Sequence, residues 1–224
     1  MLEQDGRPFV GAGSVAAKKA MNKHTTKEVA QAIGVPTPPW VIMEDAGPLP
    51  LPLPVAIKPI NEGSSVGVRL ACTQEEAQSA TEEGLAAYGR VMLEKLIRGR
   101  EITAGWIEGQ HVPLIEIKPA SGHYDFAAKY ERPDTTYQVD PELPVEWSQQ
   151  MHDATDALCR SLGLRDLARA DFLVDEHGPW LLEVNTMPGF TSQSLLPQAA
   201  AASGMPMPTL CRHLVQRAAD RTQN

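Results

Sequence analysis

Cysteine is scarce in this 224-residue sequence: Cys72, Cys159 and Cys211 are far apart, odd in number and form no CxxC. They read as reduced thiols of a cytoplasmic protein rather than as a disulfide framework. No apolar run approaches the roughly 18 residues of a membrane span. The first ten residues, MLEQDGRPFV, lack a basic region followed by an apolar one, so no signal peptide is read there. Basic charge is not in excess either. The net charge is -8, which excludes nucleic acid as a partner, because phosphate-backbone binding needs a basic face. A few lysines in a cleft are still enough to hold a nucleotide. No internal repeat and no long low-complexity tract occurs.

What is present is enough apolar material, 42% of residues, for one large domain or two small ones. The run from Val15 to Ile33 predicts one helix, with Gly34 as its stop. A short strand is expected near Val41, and GPLPLPLP, Gly47 to Pro54, is a stiff connector. The strand VAIKP then leads into a polar, Gly-rich turn, NEGSSVG. Thr73 to Tyr88 reads as a helix, with Thr73 as cap and Glu76 three residues on. VMLEKLI is a strand. EITAGWI and HVPLIEI are two more, joined by an EGQH hairpin turn. Residues 120–144 read as a long irregular loop. A helix over Val145 to Leu162 ends at Gly163. ARADFLVDE and PWLLEVN pair around EHG, and helices near Ser194–Ser203 and Thr209–Ala219 follow. Strands and helices mix without clean alternation, which favours α+β.

Four stretches can carry chemistry. Arg169 and Asp171 are two residues apart in a strand and share a face, as do Glu183 and Asn185 in the next. Read singly, each is a solvated position on an alternating strand. As a set they are an oxygen-only cluster suited to Mg²⁺, with an arginine beside it to stabilise a transferring phosphoryl group. In VAIKPINEGSSVGV, Lys58 closes an apolar strand and the loop of Gly63, Ser64, Ser65 and Gly67 can cradle phosphates. A protein kinase is refuted: there the Gly-rich loop precedes the lysine strand, and neither HRD nor DFG occurs here. In MLEKLIRGREIT, Glu94 could accept from an adenine amino group, the backbone around Leu96 offers hinge contacts and Glu101 could bind a ribose hydroxyl. Lys129, in FAAKYERPDTTY, could reach a phosphate from a loop that closes over the site.

The order of these motifs closely resembles the D-alanine–D-alanine ligases of the ATP-grasp superfamily. It runs from a lysine strand through EGSSVG, EK-x-x-x-G-x-E, AKY and R-x-D to E-x-N-T-x-P-G-x-T-S-x-S, across about Gly11 to Ala219. The resemblance implies an α+β ATP-grasp fold, two subdomains sandwiching ATP. Residues 1–22 would be a lead-in and helix, 23–101 the central subdomain, and 102–224 the C-terminal subdomain with a loop at about 120–144. It implies that ATP phosphorylates one D-alanine and that a second attacks the acyl phosphate, giving the dipeptide of peptidoglycan. Lys23, Lys58 and Lys129 would contact ATP phosphates, and Ser64 and Ser65 would sit in the loop covering them. Glu94, Lys95, Ile97 and Glu101 would form the adenosine pocket. Asp171, Glu183 and Asn185 would bind two Mg²⁺, with Mn²⁺ as a substitute. Arg169, helped by the Gly189 backbone, would stabilise the acyl phosphate and tetrahedral intermediate. Ser194 would hold the second D-alanine, and Tyr130 would belong to the closing loop. Family members are usually homodimers.

Against the family pattern, the sequence starts where an additional N-terminal domain normally ends, and that domain supplies part of the amino-acid site. Two readings follow: a carboxylate–amine ligase acting on D-alanine or another substrate, and a nucleotide-binding module inactive alone. Removal of that domain is also expected to leave an apolar patch around Phe9 and Val10.

Overall fold

The computed structural model describes residues 2–118 and 135–221. Lys129, Tyr130 and most of the expected long loop lie outside the described residues. Two helices open the chain, α1 (Ser14–Met21) and α2 (Lys23–Ala32). The single helix expected over 15–33 is therefore broken. Asn22 takes an extended backbone and its side chain accepts from the Thr25 N–H at 2.9 Å, capping a new helix. The Lys23 N–H turns outward to the Ile60 carbonyl.

The strands β1 (Trp40–Met43), β2 (Val55–Pro59), β3 (Arg69–Ala71) and β4 (Val91–Lys95) form an antiparallel sheet in the order β1-β4-β2-β3. Helix α3 (Gln74–Tyr88) covers one face. Its start is a complete capping box: Thr73 accepts from the Glu76 N–H, and Glu76 accepts from the Thr73 N–H. Gly89, left-handed at φ +73°, ends it. Val55, Ile57, Val91 and Leu93 pack on Ala77 and Ala80. Alternation sends Ala56, Lys58, Met92 and Glu94 to the other face.

The second antiparallel sheet has the order β7-β6-β5-β8-β9. It comprises β5 (Arg100–Ile107), β6 (Ile115–Lys118), β7 (Thr136–Val139), β8 (Leu167–Asp175) and β9 (Gly178–Asn185). Strand β7 falls within the stretch expected to be irregular. Its Thr, Tyr and Val have strand propensity, but it is a short edge strand with little buried, so no apolar alternation betrays it. The β5–β6 connection is longer than the expected EGQH turn, because Pro113 keeps residues 111–114 out of the ladder.

Helices cover this sheet on both faces. On one, α4 (Val145–Leu162) and α1 bury Ile102, Ala104, Ala170, Phe172 and Leu181. On the other, α5 (Leu195–Ala202) and α6 (Met207–Asp220) bury Ile107, Ile115 and Leu167. Gly105 lets α5 approach: a Cβ there would meet Leu196 Cδ1 at 2.7 Å and Val112 Cγ2 at 3.1 Å. Among the described residues no helix is long and apolar enough to cross a membrane.

Buried Asp166 ties the N-terminal segment down. It accepts from the Gly11 N–H at 2.7 Å and from Arg221, which also donates to the Phe9 carbonyl. The Phe9 ring lies under the Arg165 guanidinium, 4.6 Å from its centroid, and is half-buried. The apolar patch expected there is thus partly covered at Phe9 and open at Val10.

Candidate active site

The cleft between the sheets is built by strand alternation. Lys58 and Glu94 face it from the first sheet, and Glu101, Arg169, Asp171 and Leu173 from the second. Strand β9 adds a bulge. Asp171 pairs with Glu183 and Phe172 with Leu181, so Leu182 has no partner of its own in the ladder. The extra residue lets Leu181 and Val184 both face the core while Glu183 and Asn185 face the cleft. The loop after α2 seals the irregularity. The Leu181 N–H donates to the Pro36 carbonyl at 2.8 Å, and the Thr37 hydroxyl donates to the Leu181 carbonyl at 2.8 Å.

Two cavities share this cleft. The larger, about 700 Å³, is lined by Lys58, Ser65, Glu94, Ile97, Glu101 and Asp171 among others. Leu182 and Leu173 give it an apolar wall. The smaller, about 490 Å³, is lined by Ser64, Tyr137, Arg169, Asn185, Gly189 and Ser194. Lys23 and Glu183 line both. The structure therefore gathers every described candidate residue except Lys95. That side chain is exposed, because alternation in β4 sends it to the α3 face opposite Val55.

Arg169 is held rigidly. Its Nε and Nη2 donate to Oδ1 and Oδ2 of Asp171, both at 2.8 Å, and the Thr103 hydroxyl donates to Oδ1 at 2.8 Å. Lys23 is buried. Its ammonium donates to the Glu62 carbonyl and stands 3.5 Å from Glu183 Oε2. The Asn185 amide oxygen accepts from the Met187 N–H at 2.9 Å, which fixes its direction. The Ser194 hydroxyl is 2.9 Å from that of Thr191, and a Cβ on Gly189 would sit 2.8 Å from it. Ser64 and Ser65 are consecutive left-handed residues at φ 54° and 59°, a strained conformation that turns the loop toward the cleft.

Glu94, 2% exposed, is bonded at Oε1 by Lys58 and stands 2.7 Å at Oε2 from Lys27. Burial alone would raise its pKa, but Lys58 and then Lys27 overcome that and hold the carboxyl below its ordinary value.

The family described as D-ala D-ala ligase C-terminus matches residues 29–216. The D-alanine–D-alanine ligase of Synechococcus sp. (strain JA-3-3Ab) is 38% identical, over 99% of this chain and 71% of its own length. That of Methylacidiphilum infernorum is 34% identical, over 96% and 72%. The chain belongs to the D-alanine–D-alanine ligase family. The crystal structure of the Bacillus anthracis D-alanine–D-alanine ligase complexed with ATP superposes with a TM-score of 0.85 at 31% identity, over 99% of this chain and 74% of that one. The two-sheet architecture is the ATP-grasp fold of this ligase family.

Sequence reasoning missed Lys27, Thr103, Tyr137 and Leu182. Thr103 carries a signal, being two residues from Glu101 on the cleft face. Lys27 stands one helical turn after Lys23, and nothing in its neighbours marks it as buried.

Proposed function

We propose that the protein is an ATP-dependent carboxylate–amine ligase that joins two D-alanines through an acyl phosphate, the dipeptide serving peptidoglycan synthesis. The shared wall carries this reading. Because Lys23 and Glu183 line both cavities, a phosphoryl group on a nucleotide in the larger one reaches a carboxylate in the smaller one within a single charged surface. Residues 23–101 would form the central subdomain and 102–224 the C-terminal one, with 1–22 as lead-in. The enzyme would work in the cytoplasm on small molecules, as a homodimer by resemblance.

In this reading Ile97, Leu182 and Leu173 pack against the adenine, Glu94 accepts from its amino group, and Glu101 binds the ribose. The backbone of Lys95 belongs to the same wall. Lys23, Lys58 and, from the loop, Lys129 contact the phosphates, and the amides around Ser64 and Ser65 cover them. Asp171, Glu183 and Asn185 offer only oxygens, on neighbouring strands, a donor set that fits two Mg²⁺ or Mn²⁺. Among the described residues no three His, Cys, Asp or Glu could hold a metal, so phosphate oxygens and water would complete the coordination. Bound there, the metal supplies neutralisation of charge on the phosphate oxygens.

The first amino acid's carboxylate attacks the terminal phosphorus, and the bond to the nucleotide breaks to release ADP. The second amino acid's neutral amine then attacks the acyl carbon. Its proton is lost, the tetrahedral intermediate collapses, and phosphate leaves. Negative charge concentrates where Arg169 points. Its bidentate bond to Asp171 pre-orients it, so little reorganisation is needed as charge develops. The Gly189 backbone approaches the same centre. Ser194 and the first amides of α5 hold the second carboxylate, and Tyr130 closes over it.

The test is ADP release from Mg·ATP with and without D-alanine, with mass spectrometry of the product. D-alanine-dependent ADP and the dipeptide are expected, with turnover lost in Asp171→Ala and Glu183→Ala. ATP binding without any stimulation would overturn the ligase reading and leave a nucleotide-binding module. Retained turnover in both variants would overturn the metal assignment.

A further inference from the structure

Two lysines share the single carboxylate of Glu94, one at each oxygen, and their surroundings differ. The Lys58 side chain is 14% exposed and lines the larger cavity. The Lys27 side chain is 0% exposed and lines neither cavity. Every direction around the Lys27 ammonium is occupied by protein. Glu94 Oε2 lies at 2.7 Å, the Thr37 hydroxyl at 2.5 Å and the Pro38 carbonyl at 3.2 Å, and the Trp40 ring centroid is 5.2 Å away. Thr37 in turn bonds the Leu181 carbonyl at the β9 bulge, beside Leu182 of the cavity wall. Lys27 cannot touch a ligand, yet it is bonded to a residue that can.

A buried carboxylate with one lysine would hold that lysine fast, because releasing it strands an uncompensated charge. A second, permanently buried lysine removes that penalty. We propose that Lys27 is a positioning residue: it keeps Glu94 ionised and fixed at the base end of the cleft, so that Lys58 is free to turn from that carboxylate to a nucleotide's phosphates. The inference rests on reading the larger cavity as the nucleotide site. Burial pushes the Lys27 ammonium down to about 8, with Glu94 opposing, so Lys27 still carries its charge at neutral pH.

Adenosine and ATP separate this role from a merely structural one, since only ATP needs Lys58 released. Both would be titrated by calorimetry, with Mg²⁺, into the unmodified protein and three variants. In Lys27→Met, ATP affinity is expected to fall by roughly tenfold or more, the range of coupling for close buried charge pairs, while adenosine affinity changes little. In Lys27→Met/Glu94→Gln nothing holds Lys58, and the ratio of ATP to adenosine affinity should return. Lys27→Gln keeps a polar group on the Glu94 side of α2 without the charge. It should repeat the Lys27→Met ratio, and it serves where the Met variant does not fold. Equal losses of ATP and adenosine, no loss of either, or a ratio that stays low in the double variant would overturn the inference. An unmodified protein that binds neither ligand would instead overturn the nucleotide reading itself.

Discussion

Burial lowers the Lys27 pKa from 10.5 to about 8, with Glu94 opposing the shift. The sign of its effect on stability follows. Below pH 8 the folded and unfolded chains both hold the proton, and the cost of burying the charge is fully present. Between about 8 and 10.5 the unfolded chain holds a proton that the folded chain does not, so Lys27's contribution to stability rises with pH. The rise is at most about 3 kcal/mol, from the free-energy equivalent of a pKa unit. The urea midpoint of the unmodified protein minus that of Lys27→Met should therefore climb from pH 7.5 to 10. A flat difference would show that Lys27 does not titrate in this window. At this scale the sequence was readable where two residues share a strand face. Arg169 with Asp171 and Glu183 with Asn185 follow from spacing alone. Lys27 was not readable, because a lysine in a helix is ordinarily solvated, and only tertiary packing decides that this one is enclosed.

Elements legible in sequence are those with strong local signals. The capping box of α3, the glycine that ends α4, and the β8–β9 hairpin all form where the chain chemistry puts them. The break at Asn22 was hidden because the helical pattern continues across it. The β9 bulge was hidden because it is a property of a pair of strands rather than of one. Position 105 shows how such pairings aim the site. In Gly105→Ala the new methyl would press on Leu196, which is 1% exposed and has little room to retreat. The expected stability cost is about 1–3 kcal/mol, as for other overpacked cores. Since α5 begins just after Ser194, its displacement should raise the KM for D-alanine more than that for ATP in steady-state kinetics. An equal rise in both would mean that α5 does not set the amino-acid site.

At the scale of the whole molecule, a net charge of -8 coexists with Lys23 and Lys58 in one cleft, so the proposed anion binding would be a local matter of placement. The two sheets meet through that cleft, and a ligand in it touches both. A nucleotide should thus raise the melting temperature of the whole chain together. At a hundredfold excess over Kd, linkage gives about 2.7 kcal/mol. For a chain of this length that is a shift of roughly 5–11 °C. Scanning calorimetry with Mg·ATP should show one transition moving upward. A split transition would mean that the sheets unfold separately.

The wall common to both cavities has a consequence for inhibition. A single compound with a purine at one end, an amino acid at the other and a tetrahedral dianion between them would meet Lys23 and Glu183 at its midpoint. Tethered in this way, its second end binds at a high effective concentration, and avidity can exceed either fragment's affinity by roughly 10²–10⁴. The protein would recognise such a molecule as a chelate, and escape would require both ends to let go at once.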